Sequence, residues 1–303
     1  MQSLPAVLVE AFAAGPCCGN GAAVVLLDQP TGDGALQAIA RSLNQSETAF
    51  LLLQDKRWCL RWFTPACEVP LCGHATLAAL LALGHWQHLA PQQELSLLTR
   101  SGPLAVILER AASPLEAAAG SLVLPSGGLL PAEPSPPLIR LLHDRLGVSP
   151  LGYWGSALGY RVVLLPSQAP LQAMDGLAAE LQGPDRAGLV LMQALGGAGR
   201  EPRPSVLGMG ADYQLRFFAP ALGIDEDPVT GSAHALVAPF WFERLARSPV
   251  VGWQCSPRPG GMVLDTASSG MIRIRGMGHL LWNGTLQVHT DGSGSESWTS
   301  LLA

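Results

Sequence analysis

Leu60–Leu77 reads LRWFTPACEVPLCGHATL, and Leu215–Leu236 reads LRFFAPALGIDEDPVTGSAHAL. Both run Leu-Arg-aromatic-Phe-x-Pro-Ala, then a loop with acidic and proline residues, then Gly-polar-Ala and an apolar stretch. The second loop is three residues longer. Two copies of one supersecondary unit in a single chain imply two domains of the same design, related by pseudo-twofold symmetry. In each copy the loop opens into a helix, expected over Gly73–Leu83 and Gly231–Phe242. Both segments are apolar on nearly every face, so each helix has to be buried and forms the core of its domain.

Around the repeats the chain alternates short strand and helix patterns. Val7–Phe12, Ala22–Leu27, Thr48–Leu53, Cys59–Phe63, Leu95–Thr99 and Leu104–Glu109 read as strands, rich in Val, Leu and aromatics. Gly34–Leu43 reads as a helix, and Asn44 and Ser46 as turn residues that return the chain to a strand at Glu47. Pro125–Pro137, PSGGLLPAEPSPP, breaks all periodicity and is the expected linker. Beyond it come a helix near Leu138–Leu146, strands near Arg161–Leu165 and Leu189–Gln193, and a helix near Leu171–Leu181. Leu195–Gly210 is expected as a long loop and Asp291–Ala303 as a frayed end. The expected domains are residues 1–125 and 126–290, with a segment from about 285 packing back on the first.

The 303 residues carry a formal net charge of -5, 48% hydrophobic and 14% charged residues, and no Lys/Arg-rich run. This argues against a nucleic-acid partner or an anionic membrane surface. The densest apolar stretch, Leu77–Leu83, falls far short of the ~20 residues that span a bilayer. No Lys or Arg precedes the first apolar segment and Glu10 interrupts it, so a secretory signal is not expected and a cytoplasmic protein is. Six cysteines in a chain this long do not read as a disulfide framework. No recognised metal-ligand spacing is present, His85 and His88 reading as a helix-end surface pair, and no nucleotide-binding glycine motif appears.

The repeat loops hold the reactive side chains: His74 after Gly73, and Asp227, Thr230 and Ser232 around Gly231. First-turn N–H groups of a helix lack intrahelical partners and carry partial positive charge, so small residues there let a carboxylate approach the backbone. Glu47 starts the apolar run TAFLLL, where a carboxylate gains nothing for the core. At an interface with apolar walls its pKa is expected to rise by desolvation, which suits a proton carrier. Plainer readings stand beside these: Ser232 as a helix N-cap, Asp227 as an Asp-Pro turn residue, His74 as a buried hydrogen-bonded histidine, and Glu47 as an exposed strand end.

The stretches EAFAAGPCCGNGAAVVLL, NQSETAFLL, RWFTPACEVPLCGHATLAA and RFFAPALGIDEDPVTGSAHAL resemble the PhzF-like family of phenazine-biosynthesis isomerases. That family shares its architecture with diaminopimelate epimerase and proline racemase. The resemblance implies an α+β fold of two similar domains, each a β-sheet curled around a central helix, with the active site in the cleft between them. It implies that Glu47 is the general acid/base and that His74 contacts the substrate. Asp227 and Ser232 would complete the pocket, Gly73 and Gly231 would supply backbone donors, and Asn20 and Thr230 would line it. It also implies a small carboxylate-bearing substrate, no cofactor, no metal and a homodimer.

The chain departs from the family at Gly19–Gly21, where Gly-Asn-Gly replaces the usual Gly-Asn-Pro. Cys72 occupies the first position of the paired thiols used by the related epimerases, but the second copy has no cysteine nearby. A two-thiol racemase is therefore disfavoured, and Cys72 reads as a small apolar residue at the helix entrance. Cys18 precedes a Gly-Asn turn that feeds a strand. A racemase or epimerase using Cys72, and a non-catalytic binding protein of the same fold, remain the alternatives.

Overall fold

The computed structural model describes residues 2–113, 116–196, 203–288 and 295–302. The chain divides into two compact units, Met1–Val123 with Arg275–Ala303, and Leu124–Ile274.

The first unit opens with β1 (Gln2–Ala11) and β2 (Asn20–Leu27), an antiparallel pair. Next comes α1 (Asp33–Leu43), which buries Leu36, Ile39 and Ala40 at helical spacing. Asn44 ends it in the left-handed conformation with its N–H on the Ala40 carbonyl. β3 (Glu47–Gln54) runs parallel to β2 and antiparallel to β4 (Arg57–Phe63). The short β5 (Glu68–Val69) leads into α2 (Gly73–His85), then β6 (Gln93–Thr99), β7 (Gly102–Arg110) and β8 (Ala118–Pro125).

Eight of the thirteen residues of α2 are alanine or leucine, the strongest helix formers, and every residue from His74 to Leu83 is buried. It packs on β1, β2, β3 and β7. Each of Leu77, Leu80, Leu81 and Leu83 contributes about 1.5–3 kcal/mol by burial.

The second unit contains β9 (Leu129–Pro131), α3 (Pro136–Leu146), β10 (Gly152–Ser156), β11 (Arg161–Leu164), β12 (Leu189–Ala194), β13 (Ser205–Val206) and β14 (Met209–Gly210). After them come β15 (Tyr213–Ala219), β16 (Ile224–Asp227), α4 (Gly231–Leu245), β17 (Val250–Gln254) and β18 (Gly260–Thr266). The long β19 (Met271–Val288) then pairs antiparallel with β1 across Gly278–Val288, and α5 (Ser295–Thr299) ends the chain.

The duplication read in the sequence extends to strand pairing. In the first unit β2 is parallel to β3, β3 antiparallel to β4, β4 antiparallel to β5 and parallel to β6, and β6 antiparallel to β7. In the second, β11, β12, β15, β16, β17 and β18 repeat that series in the same order. Each helix, α2 or α4, follows the short strand of its copy.

Three segments differ from the sequence reading. Leu171–Leu181 is no α-helix but part of a series of short 3-10 turns at Leu171–Ala173, Leu177–Glu180 and Gly183–Arg186. Pro170 and Pro184 flank it, and Gly176 takes φ +77°, which no right-handed helix accommodates. Its apolar spacing serves burial instead: Leu171, Met174, Leu177, Ala178 and Leu181 join one core cluster.

The expected linker is partly structured, since Leu129–Pro131 pairs with Trp154–Ser156, and Ser135 caps α3 by accepting from Leu138 N–H. The chain end does not fray over 295–302. Trp298 is fully buried among Leu36, Phe50 and Phe63, and its Nε1–H donates to the Thr31 carbonyl at 2.9 Å. Of the expected loop Leu195–Gly210, residues 197–202 lie outside the described residues; Ser205–Gly210 forms a small hairpin. Among the described residues no helix is long and apolar enough to cross a membrane.

Candidate active site

Glu47 stands at the start of β3, opposite Ala22 of β2, and is buried. Parallel pairing sets it beside the start of β2, where Asn20 is 1% exposed. His74 is the second residue of α2, also buried, and its Nε2 lies 3.0 Å from Glu47 Oε2. Asn20 Nδ2 is 3.2 Å from His74 Nδ1, and Ser46 Oγ is 3.1 Å from His74 Nε2 while donating to the Gly21 carbonyl at 2.8 Å. Cys72 closes the group, with Sγ 3.4 Å from His74 Nδ1. Its carbonyl accepts from Thr76 Oγ1 at 2.6 Å, which pins the helix entrance.

The electrostatics corrects one expectation. Burial alone raises the Glu47 carboxyl, yet the charge and hydrogen bond of His74, aided by Ser46 and Cys72, outweigh it, so its pKa is lowered. Burial alone disfavours the His74 cation, but Cys72 and Glu47 outweigh it and hold His74 well above its ordinary value. The pair therefore rests as carboxylate and imidazolium, and it titrates as one unit. Burial and the Glu47 charge push the Cys72 thiol up. A carboxylate base beside an imidazolium donor is an acid/base couple ready for proton transfer.

In the second unit Asp227 ends β16 and accepts from Thr230 Oγ1 at 2.5 Å. Thr230 is the N-cap residue of α4, but its side chain does not cap the helix, and neither does that of Cys72 at α2. Ser232 therefore does not serve as the N-cap; its Oγ lies 3.4 Å from Tyr160 Oη. Gly231 begins α4 with Ser232 in its first turn.

Sequence reasoning missed the residue that shapes this loop. Gln254, fully buried at the end of β17, accepts from Thr230 N–H at 2.8 Å and donates to the Asp227 carbonyl at 2.6 Å. No local signal marks it, because its partners lie far off in sequence. Gln254→Ala strips both partners of their bonds and is expected to cost about 1–3 kcal/mol in chemical denaturation. Ser46 reads from the sequence as a turn residue and Cys72 as a small apolar residue at the helix entrance or an alternative thiol base; both touch His74. Ser46 directly precedes Glu47, so its neighbour in NQSETAF was the available signal.

Gly19 delivers Asn20 to the first cluster. It takes φ +76°, and an added Cβ would meet the Ala11 carbonyl oxygen at 2.6 Å and Ala13 Cα at 2.7 Å. Both obstacles are backbone. Gly19→Ala is expected to destabilise by about 1–3 kcal/mol, read as a lower thermal midpoint, because conformation and space both fail.

A family model described as "Phenazine biosynthesis-like protein" matches residues 9–121 and 198–281. The chain is 35% identical over 280 residues to an uncharacterized isomerase of Pseudomonas aeruginosa, covering 92% of this chain and 97% of that one. The chain belongs to the phenazine biosynthesis-like family. Members of this family among its relatives are named isomerases, and the chain is an isomerase of the PhzF-like type. A crystal structure of a phenazine biosynthesis PhzF-family protein from Enterococcus faecalis superposes with a TM-score of 0.74 at 28% identity, covering 95% of this chain and all of that one. The fold extends to a probable proline racemase from Agrobacterium radiobacter, TM-score 0.59 at 12% identity, over 97% of this chain and 95% of that one. The PhzF-like family match takes in Asn20, Glu47 and His74 in its first stretch, and Asp227 to Ser232 in its second.

Proposed function

We propose that this chain is a cofactor-independent isomerase that moves a proton within a small carboxylate-bearing metabolite, with Glu47 as the carrier. The observation that supports it most is the buried Glu47–His74 pair, 3.0 Å apart at the entrance of a helix whose first turn no side chain caps. Glu47 takes a carbon-bound proton as carboxylate and returns it to another carbon. His74 donates to the oxygen on which negative charge develops. The N–H groups at the start of α2, from Gly73 on, hold the substrate carboxylate, since an uncapped helix N-terminus favours anions. Asn20 and Ser46 keep the imidazole oriented.

The rival chemistry is a thiol base at Cys72, which lies within reach of the same imidazole. Burial and the Glu47 charge oppose the thiolate it needs. A panel of cyclic and unsaturated carboxylates and amino acids, incubated in heavy water and followed by NMR, identifies a compound that gains deuterium on carbon. Cys72→Ser is expected to retain that exchange and Glu47→Gln to lose it; the reverse pattern would transfer the role to the thiol.

A further inference from the structure

Glu47, Cys72 and His74 each offer one atom able to ligate a metal ion, and the three atoms lie within 4.8 Å of one another. All three side chains are buried. His74 Nε2 is 3.0 Å from Glu47 Oε2 and 3.9 Å from Cys72 Sγ. A tetrahedral zinc centre, with Zn–S of about 2.3 Å and Zn–N and Zn–O near 2.1 Å, has ligand-to-ligand edges of about 3.3–3.6 Å. The two separations from Nε2 bracket those edges; Cys72 Sγ lies nearer Nδ1, at 3.4 Å, so binding through Nε2 requires the Cys72 side chain to rotate toward it.

The donor chemistry selects the ion. One thiolate, one imidazole and one carboxylate suit a borderline-soft divalent ion such as Zn²⁺ or Co²⁺, whereas Mg²⁺ and Ca²⁺ require oxygen ligands. Three protein ligands leave one tetrahedral position open. The surroundings fit as well. An imidazole that ligates through Nε2 keeps its proton on Nδ1 and needs an acceptor there. Asn20 already sits 3.2 Å from Nδ1, and turning its amide over presents oxygen in place of nitrogen without changing shape. The ligands come from rigid positions, the first residue of β3 and the entrance of α2, where Thr76 Oγ1 holds the Cys72 carbonyl.

We propose that Glu47, Cys72 and His74 form a binding site for a zinc-type divalent ion, and that the ion switches the protein off by occupying its proton carriers. Binding the ion rests on the donor set alone; the switching rests on the catalytic reading of Glu47 given above. The ion takes the lone pairs of the thiolate, the imidazole and the carboxylate, the thiol and imidazolium protons leave to solvent, and no redox change occurs. Loss of ion restores the acid/base pair.

The test is a Co²⁺ titration of the reduced, chelator-treated full chain, read by absorption. One equivalent is expected to give sulfur-to-cobalt charge transfer in the near ultraviolet together with the visible bands of tetrahedral cobalt, and Zn²⁺ is expected to displace it. Cys72→Ser should remove the charge-transfer band. Asn20→Ala, which spares all three ligands, should weaken binding by about 10–100-fold. No band in the unaltered chain overturns the proposal. So does a band that survives in Cys72→Ser, which would place the ion on the more accessible thiols Cys17, Cys18 and Cys67. Zn²⁺ is expected to stop deuterium incorporation reversibly. Cobalt binding with exchange unaffected overturns the switch, whereas exchange retained in Glu47→Gln overturns the catalytic reading and leaves the ion site standing.

Discussion

Glu47→Gln is expected to lower turnover by about 10²–10⁴-fold, the range that positioned acid/base groups contribute, while leaving the thermal midpoint near that of the unaltered chain. The amide matches the carboxylate in size and shape, so β3 keeps its pairing with Ala22 and the surrounding core is not disturbed. What it removes is chemical. A glutamine can neither accept a carbon-bound proton nor hold the imidazolium of His74, whose raised pKa depends in part on the Glu47 charge and hydrogen bond. The variant therefore loses base and acid together, although only one residue changes. Two readouts separate this from a structural effect: substrate affinity should move far less than turnover, and deuterium incorporation should vanish rather than slow in proportion to any unfolding. Turnover within threefold or so of the unaltered chain would falsify the assignment of Glu47 as carrier.

Much of this arrangement was readable before any coordinates, and the reason is repetition. The two LR-x-F-x-P strings and the Gly-polar-Ala helix entrances predict a duplicated unit, and the strand pairings of the two units follow one order. Asn20, Glu47 and His74, named as candidates from residue type and resemblance, lie in one cluster because the starts of β2, β3 and α2 come together. What stayed illegible depended on three dimensions. Leu171–Leu181 has helix-like apolar spacing, and only the left-handed backbone at Gly176 shows that burial, not a helix, uses it. Gln254 meets Asp227 and Thr230 across a strand pairing that no local pattern encodes. The direction of the Glu47 pKa was misread because burial was legible and the neighbouring imidazolium was not.

The arginine of each repeat shows why those strings read alike. Arg61 is fully buried, donates from Nε and Nη2 to both Glu68 oxygens at 2.8 and 2.7 Å, and reaches Asp33 at 2.8 Å. Arg216 does the same with Glu226 at 2.7 and 2.5 Å and Asp175 at 2.7 Å. Each guanidinium also lies over the ring two residues on, Phe63 at 5.2 Å and Phe218 at 5.3 Å. The glutamate of each pair belongs to the short strand before the helix entrance, so the arginine anchors the loop that carries the reactive residues. In the second copy that loop begins at Asp227, next to Glu226.

Arg216→Ala is accordingly expected to cost about 3–5 kcal/mol, seen as a large fall in the denaturation midpoint. The loss comes less from the attraction removed than from the Glu226 carboxylate, 15% exposed in the intact pair, which loses the cation that holds both its oxygens. The carbonyls of Leu171 and Gln172, which accept from Arg216 Nη1 at 3.3 and 3.0 Å, lose their donor too. That account makes a second, sharper claim. The double change Arg216→Met with Glu226→Gln removes the unpaired charge and fills most of the space, so it should be more stable than Arg216→Ala alone. Whole stabilities of domains are about 5–15 kcal/mol, so the single change brings the second unit close to unfolding and the double change does not. If the double variant is instead the less stable of the two, the arginine acts through its own bonds and stacking on Phe218, and the uncompensated carboxylate is not the source of the cost.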